Sequence, residues 1–141
     1  MLTWAIDRGN AEVAQRIVTG TARFWHLSGR FVEWRRWGER ALSGGPTPDD
    51  VRAAAMGVTG WVASIQGDED HAITLVRESI RLARHAGDDM IVAQAAIALG
   101  IIEEDRGRFA EARALYEEAL RIFRSRHNEI WPPYVVNLLG L

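Results

Sequence analysis

The side chains that could act as general acids and bases are concentrated in two acidic runs, Glu103-Glu104-Asp105 and Glu117-Glu118. Two carboxylates held at a fixed separation are the arrangement that glycoside hydrolysis uses. Arginines lie close to both runs, at positions 106, 108, 113 and 121. Acids interleaved with arginines are typical of the solvated faces of helices. We therefore predict a charged helix surface here and no catalytic pair.

Other patterns that carry chemistry are missing from the sequence. The four histidines are scattered, at His26, His71, His85 and His127, and no two of them have the His-x-x-x-His spacing of a zinc site. No serine lies in a Gly-x-Ser-x-Gly elbow. Cysteine and lysine do not occur, which excludes thiolate chemistry and a phosphate-binding loop of the Gly-Lys type. We expect a protein without enzymatic activity, metal or cofactor.

The composition is that of an ordinary globular protein. The chain has 141 residues, is 48% hydrophobic, and carries a formal net charge of −2. This length suits one domain, and the charge balance gives no basic surface for direct nucleic-acid binding. No apolar stretch approaches the roughly 20 residues of a membrane span, and no signal peptide is recognisable. The expected location is the cytoplasm.

An internal repeat of about 40 residues organises the chain. When Gly67 is aligned with Gly107, 40 residues later, other positions also match: Gly60 with Gly100, Ala72 with Ala112, Val76 with Tyr116 and Ile80 with Leu120. A shift of 38 residues from Gly67 places Gly29 in the same register, and Leu139-Gly140 repeats Leu99-Gly100. We therefore divide the sequence into copies at 10–45, 48–87 and 88–127, with a partial fourth copy at 128–141.

Each copy contains two stretches of helical periodicity separated by a glycine. Gly107 is expected to allow a left-handed turn between two helices, and Gly87 to end another helix. Thr47 is expected to cap a helix that begins at Pro48, with Asp50 completing a capping box. The sequence thus predicts an all-α solenoid of antiparallel helix pairs, with helices near 10–28, 31–43, 48–66, 69–86, 89–106, 109–126 and 129–141.

The third copy resembles the tetratricopeptide repeat. The residues that carry the resemblance are, in order, Leu99-Gly100, Gly107, Ala112, Tyr116 and Ala119-Leu120. The period of 38 to 40 is longer than the roughly 34 residues of the standard repeat. Trp34 takes the place of the small Ala112 in the first copy, so we expect its helices to pack further apart or shifted.

The long period and irregular first copy are similar to the repeat region of large bacterial transcriptional regulators of the LuxR type and the signal-transduction ATPase class. Two segments, 4–25 and 29–42, look like that region. The resemblance implies a scaffold without catalytic residues, which senses a signal or binds a protein and biases an ATPase switch elsewhere.

The terminal segments predict a fragment of a longer protein. Residues 1–8 are expected to be the last turns of a helix that ends at Gly9. The last helix carries Trp131, Tyr134, Val135, Leu138, Leu139 and Leu141, with few charges. Either two such helices pair, or the last helix docks near Trp4 of another copy; we expect the closed two-fold pair, because the second arrangement is heterologous and risks open chains.

In the repeat register, the first helix of each pair lines a concave groove. The resemblance places these candidate residues there: Arg16, Arg23 and His26 in the first copy, Trp61 in the second, Gln94 and Glu104 in the third, and Asn137 in the fourth. Arginines at one end and acids at the other would suit an extended or helical peptide of opposite charge polarity. The alternative interpretation, slightly favoured by the sequence alone, is that these charges belong to solvated helix faces. Trp61 either anchors such a partner or fills the groove floor.

A small-molecule sensor is the alternative function. A maltose-regulon activator related to the same group uses its repeats to bind a sugar. A saccharide site needs an aromatic platform with amides nearby, for which Trp61, Gln94 and Asn137 are the candidates.

Overall fold

The computed structural model describes residues 9–127 and 131–140. Within those residues the secondary structure is entirely helical. The helices are α1 (Ala11–Gly20), α2 (Ala22–Ser28), α3 (Phe31–Leu42), α4 (Asp49–Ile65), α5 (Glu69–Ala86), α6 (Asp89–Asp105), α7 (Phe109–Ser125) and α8 (Trp131–Leu138). The predicted bounds of α4 to α7 agree within one residue. The predicted turns at 1–8 and the predicted start of the last helix at 129 lie outside the described residues.

The helices form a solenoid of antiparallel pairs. The pair partners are α4 with α5 and α6 with α7, while α3 pairs with α1 and α2. Each second helix also packs on the first helix of the next pair: α3 on α4, α5 on α6 and α7 on α8. The first helices α1, α4 and α6 touch one another in that order. The predicted all-α helical-repeat fold is confirmed.

The turn glycines have the backbone conformation that the repeat predicts. Gly107, between α6 and α7, has φ +79°, and Gly87, between α5 and α6, has φ +71°. A side chain is strained in this left-handed region, whereas glycine is not. Asp88 then begins α6, because its carboxylate accepts a hydrogen bond from the backbone N–H of Ile91 at 3.2 Å.

The prediction of one helix over 10–28 is wrong, because the helix breaks at Thr21 into α1 and α2. The Thr19 hydroxyl donates to the carbonyl of Gln15 at 3.0 Å. The Thr21 hydroxyl donates to the carbonyl of Ile17 at 2.6 Å. Such side-chain bonds to the preceding turn compete with the backbone ladder and bend helices, and Gly20 between them adds flexibility.

The predicted capping box at the start of α4 is also wrong. The helix begins at Asp49, Pro48 precedes it, and no side chain caps it. Thr47 instead donates to the Oε1 atom of Gln15 at 2.8 Å. Gln15 is fully buried, and its Nε2 atom donates to the carbonyl of Ala41 at 3.1 Å. A buried amide must have both partners, so Thr47 serves Gln15 rather than its own helix.

Three apolar clusters hold the pairs together. The first, between α1, α3 and α4, is built around buried Trp34, which lies among the small side chains Ala14 and Ala41. The second joins α4, α5 and α6, and the third joins α6, α7 and α8. The bulky Trp34 of the first pair therefore packs among the small Ala14 and Ala41 as well as the rings of His26 and Phe31. Within residues 9–127 and 131–140, no helix is long and apolar enough to span a bilayer.

Candidate interaction groove

One face of α4 is left uncovered by the rest of the solenoid. Val58 and Trp61 are half-buried and Ile65 is exposed, whereas the intervening Gly60 and Val62 are buried. The spacing of three and four residues places the uncovered side chains on one side of the helix. Val58 and Trp61 pack on one side against the Trp34 cluster of the first pair, and part of each side chain stays open to solvent.

The same register is uncovered on the helices beside α4. On α6 these positions are Gln94, Ala98, Ile101 and Asp105; on α1 and α2 they are Arg16, Arg23 and Leu27. Ile101 lies 40 residues after Trp61, and Arg23 lies 38 residues before it. The helix α4 touches both α1 and α6, so these three helices adjoin, while Arg23 and Leu27 lie on α2, which contacts α1 and α3. We call these ten residues, from Arg16 to Asp105, the groove face.

Trp61 lies at the centre of the groove face. Its ring packs against the cluster that contains Trp34 and Val62, and part of its surface is open to solvent. An aromatic side chain that packs on the protein with one face and exposes the other to solvent loses little conformational freedom when it binds a partner. This arrangement is compatible with both predicted roles, a binding anchor and a filler of the groove floor.

The arginines of the first copy are exposed on this face. Arg16 pairs with Glu12, one helical turn earlier, at 3.0 Å, and 61% of its side chain is exposed. Arg23 is exposed and makes no ion pair or hydrogen bond with the part of the chain that the structure describes. His26 lies elsewhere, because its ring centroid is 6.3 Å from that of Phe31 and 6.5 Å from that of Trp34. It therefore lies against α3, outside the row of arginines.

The acidic end of the groove differs in detail from the prediction. Glu104 accepts a hydrogen bond from the Tyr116 hydroxyl at 2.8 Å, so its carboxylate is directed toward α7. Asp105, which the sequence interpretation did not single out, is exposed and continues the row of Gln94 and Ile101. The spacing of three and four residues along α6 was the signal that could have found it. Asn137 is exposed on α8, which packs on α7.

Ion pairs link neighbouring helix pairs across their interfaces. Glu103 is 2% exposed, and its two oxygens lie 3.4 Å from Arg77 on α5 and 3.5 Å from Arg108 in the next turn. Between the first two pairs, Arg35 donates to Asp68 at 2.5 Å and holds the pKa of that carboxyl below its usual value. The sequence interpretation missed both links.

The described residues contain no group of three or more His, Asp or Glu side chains arranged to hold a metal ion. The groove face itself offers one aromatic ring, four aliphatic side chains beyond alanine, two arginines, one amide and one carboxylate. This surface can bind a ligand by apolar contact and charge.

Comparison with known proteins supports a repeat region in this chain. Residues 92–129 match the family model of the tetratricopeptide repeat. The matched range contains most of α6, all of α7 and residues 92–127 of the predicted third copy. No curated protein matched the chain. Tetratricopeptide repeats generally mediate protein–protein interactions and generally serve as non-catalytic scaffolds.

Proposed function

We propose that this chain is a helical-repeat scaffold that binds a segment of a partner protein along its groove face. The family match supports an interaction role for the repeats. The observation that carries the proposal to this surface is the uncovered apolar row of Val58, Trp61 and Ile65 on the central helix α4. Part of the apolar surface of this row remains open to solvent after both neighbouring pairs have packed.

The solvent-exposed part of the row is suited to recognition, although Val58 and Trp61 also pack against the Trp34 cluster. Tryptophan is enriched among the few side chains that dominate binding energy at interfaces. When a partner covers exposed apolar side chains, the complex is stabilised by roughly 25 cal/mol per Å² of apolar surface buried. A complex in which a partner segment covers Trp61 and Ile65 would be stabilised in this way.

We further propose that the scaffold belongs to a larger transcriptional regulator, in which occupation of the groove biases an ATPase switch. The support is the similarity of segments 4–25 and 29–42 to that group of regulators. The coding sequence on both sides of this chain tests the idea. An ATP-binding motif on one side and a helix-turn-helix motif on the other are expected, and an unrelated context would contradict it.

The binding proposal is tested by selecting peptides from a displayed library and measuring their affinity by fluorescence anisotropy. Trp61→Ala is expected to weaken binding at least about tenfold, since a central tryptophan anchor is lost. Phe109→Ala is the matched control, because Phe109 is 66% exposed but lies outside the groove face. Equal affinities for the wild type and Trp61→Ala would overturn the proposal.

The saccharide alternative predicts a different result. A sugar would change the tryptophan emission of the wild type, and Gln94→Ala would remove that change. Such a response, together with a library that yields no peptide, would replace the protein-partner proposal with small-molecule sensing.

A further inference from the structure

We infer that the groove face selects a short extended segment in which an acidic residue, a bulky apolar residue and a basic residue follow one another about three positions apart. This inference rests on the proposed function and specifies the partner of that surface. It is carried by the order of charges and apolar side chains across the helices α1, α4 and α6.

The charges of the groove face are separated at its two ends. Arg16 and Arg23 lie on the first pair, and Asp105 lies at the end of α6. The α4 row between them, from Val58 to Ile65, carries no charge. A bound segment therefore meets positive charge, then an apolar surface, then negative charge, and complementarity requires the opposite order in the partner.

The arginines are available to a ligand. Arg23 has no partner of either kind within residues 9–127 and 131–140, and the Arg16–Glu12 pair is a solvent-exposed pair on one helix. Ion pairs of this kind contribute little to the stability of the fold, because water and salt screen their attraction. A carboxylate placed beside either guanidinium group would exchange water for charge-assisted hydrogen bonds.

Helix spacing fixes the length of the segment. Packed helices lie roughly 8–10 Å apart, so α1 and α6, which lie on either side of α4, are separated by two such steps, about 20 Å. An extended segment covers about 3.3 Å per residue and spans this distance in about six residues. The apolar anchor then falls about three residues from each charge, opposite Trp61.

A helical segment fits the same surface less well. It would need about 13 residues to span about 20 Å and would lie across the three helices with its apolar stripe lengthwise. At the first pair that stripe would meet the two charged side chains Arg16 and Arg23 and only one apolar side chain, Leu27. An extended segment needs only one apolar contact, at the centre.

The inference is tested with three fluorescein-labelled peptides that share the centre Ser-Ser-Phe-Ser-Ser and differ in the two charged residues at each end. The first has Glu-Glu and Arg-Arg at its ends, the second has Glu-Glu at both ends, and the third has Arg-Arg at both ends. We expect the wild type to bind the first peptide at least tenfold more tightly than the others. A fourth peptide, with the two Ser-Ser spacers shortened to single serines, is expected to bind less well than the first.

Charge-reversal variants give the decisive comparison. The double variant Arg16→Glu, Arg23→Glu is expected to bind the mixed-charge peptide at least tenfold more weakly than the wild type does. It is expected to bind the peptide with Arg-Arg at both ends more tightly than the other peptides. Asp105→Arg is expected to favour the all-glutamate peptide. Arg36→Glu is the control, since Arg36 is exposed on the second helix α3, outside the groove face. Circular dichroism checks that each variant is folded.

The outcomes of these experiments distinguish a failure of the charge order from a failure of the groove proposal. If Trp61→Ala removes binding of every peptide while the charge variants change nothing, the charge order is overturned and the groove proposal stands. If neither Trp61→Ala nor the charge variants affect binding, both are overturned. If the wild type binds none of the four peptides at millimolar concentration, the inference is overturned, and the library selection alone decides the groove proposal.

Discussion

The backbone of Gly100 on α6 lies directly against the ring of Tyr116 on α7. A Cβ atom at Gly100 would come within 2.8 Å of Cδ1 of Tyr116. The ring cannot easily move aside, because Tyr116 is 2% exposed and its hydroxyl donates to Glu104. The glycine therefore sets the distance between the two helices of the third pair, and with it the position of the groove residues on α6.

Gly100→Ala is expected to destabilise the chain by about 1–3 kcal/mol. Overpacking of a filled core has this cost, and the better helix propensity of alanine offsets only part of it. Urea unfolding followed by circular dichroism measures the change. Gly20→Ala is the control, because nothing lies within 4 Å of a Cβ there. A Gly100→Ala variant as stable as Gly20→Ala would contradict the close approach.

Gly107→Val tests the turn rather than the packing. A Cβ at Gly107 meets nothing within 4 Å, so the only cost is that a β-branched residue must adopt φ +79°. We expect a loss of about 1–3 kcal/mol in the free energy of unfolding. Gly45→Val, in a loop where no positive φ occurs, is expected to have a smaller effect. Thermal melts compare the two, and an unchanged midpoint for Gly107→Val would contradict the left-handed turn.

Much of the helix-pair solenoid could be predicted because its signals are local. A glycine at the left-handed turn and a stripe of small residues recur with the period of the repeat, and each acts within a few residues. The break at Thr21 and the use of Thr47 by Gln15 could not be predicted in this way. Both depend on which of two competing hydrogen-bond partners the folded chain brings near, and the sequence order does not specify that partner.

The acidic run of α6 shows the same limit within the site. Three consecutive acids point in three directions, about 100° apart. Glu103 is buried beside Arg77, Glu104 is bonded to Tyr116, and only Asp105 is exposed on the groove face. Interpreting the run as one solvated surface was right for one residue of the three, because helical phase rather than composition decides each environment.

Glu103→Gln is expected to destabilise the chain by about 1–3 kcal/mol. The substitution keeps the shape of the side chain but removes the negative charge between Arg77 and Arg108. A hydrogen bond or ion pair to a charged group is worth roughly this amount when its carboxylate is buried. Urea unfolding measures the effect, with Glu111→Gln as the exposed control. Equal stabilities of the two variants would show that the buried pair contributes nothing.

Stability should fall in acid partly through Asp68. The hydrogen bond from Arg35 lowers the pKa of Asp68 in the folded chain, so the ionised form favours folding. That contribution is complete above the unfolded pKa, near 3.9, and is lost as the pH falls through the lower folded pKa. Asp68→Asn should therefore reduce stability at pH 7, and the difference from the wild type should shrink below about pH 4.

Urea midpoints at several pH values between about 2 and 7 measure this difference. Asp70→Asn is the control, because the Asp70 side chain is 98% exposed and its oxygen lies 3.8 Å from Arg106. If the stability difference between the wild type and Asp68→Asn stays constant with pH, the ionisation of Asp68 is not coupled to folding.

The segment after the Thr21 break is expected to open by itself. None of the residues of α2 is buried, and Phe24 and Leu27 are 60% and 73% exposed. In the second pair the residue that matches Phe24 is Val62, which is fully buried. Helices with few buried apolar contacts unfold locally at a small fraction of the global free energy. The α2 amides should therefore exchange with deuterium much faster than those of α6.

Denaturant dependence distinguishes a local opening from global unfolding. In low urea the exchange of α2 should keep its rate, because its opening exposes little new surface, whereas the exchange of α6 should accelerate with the urea concentration. Leu27→Ser should leave the global urea midpoint unchanged, since the side chain is already in water. If α2 and α6 exchange with the same free energy and the same urea dependence, α2 is an integral part of the cooperative fold and the helix break has no dynamic consequence.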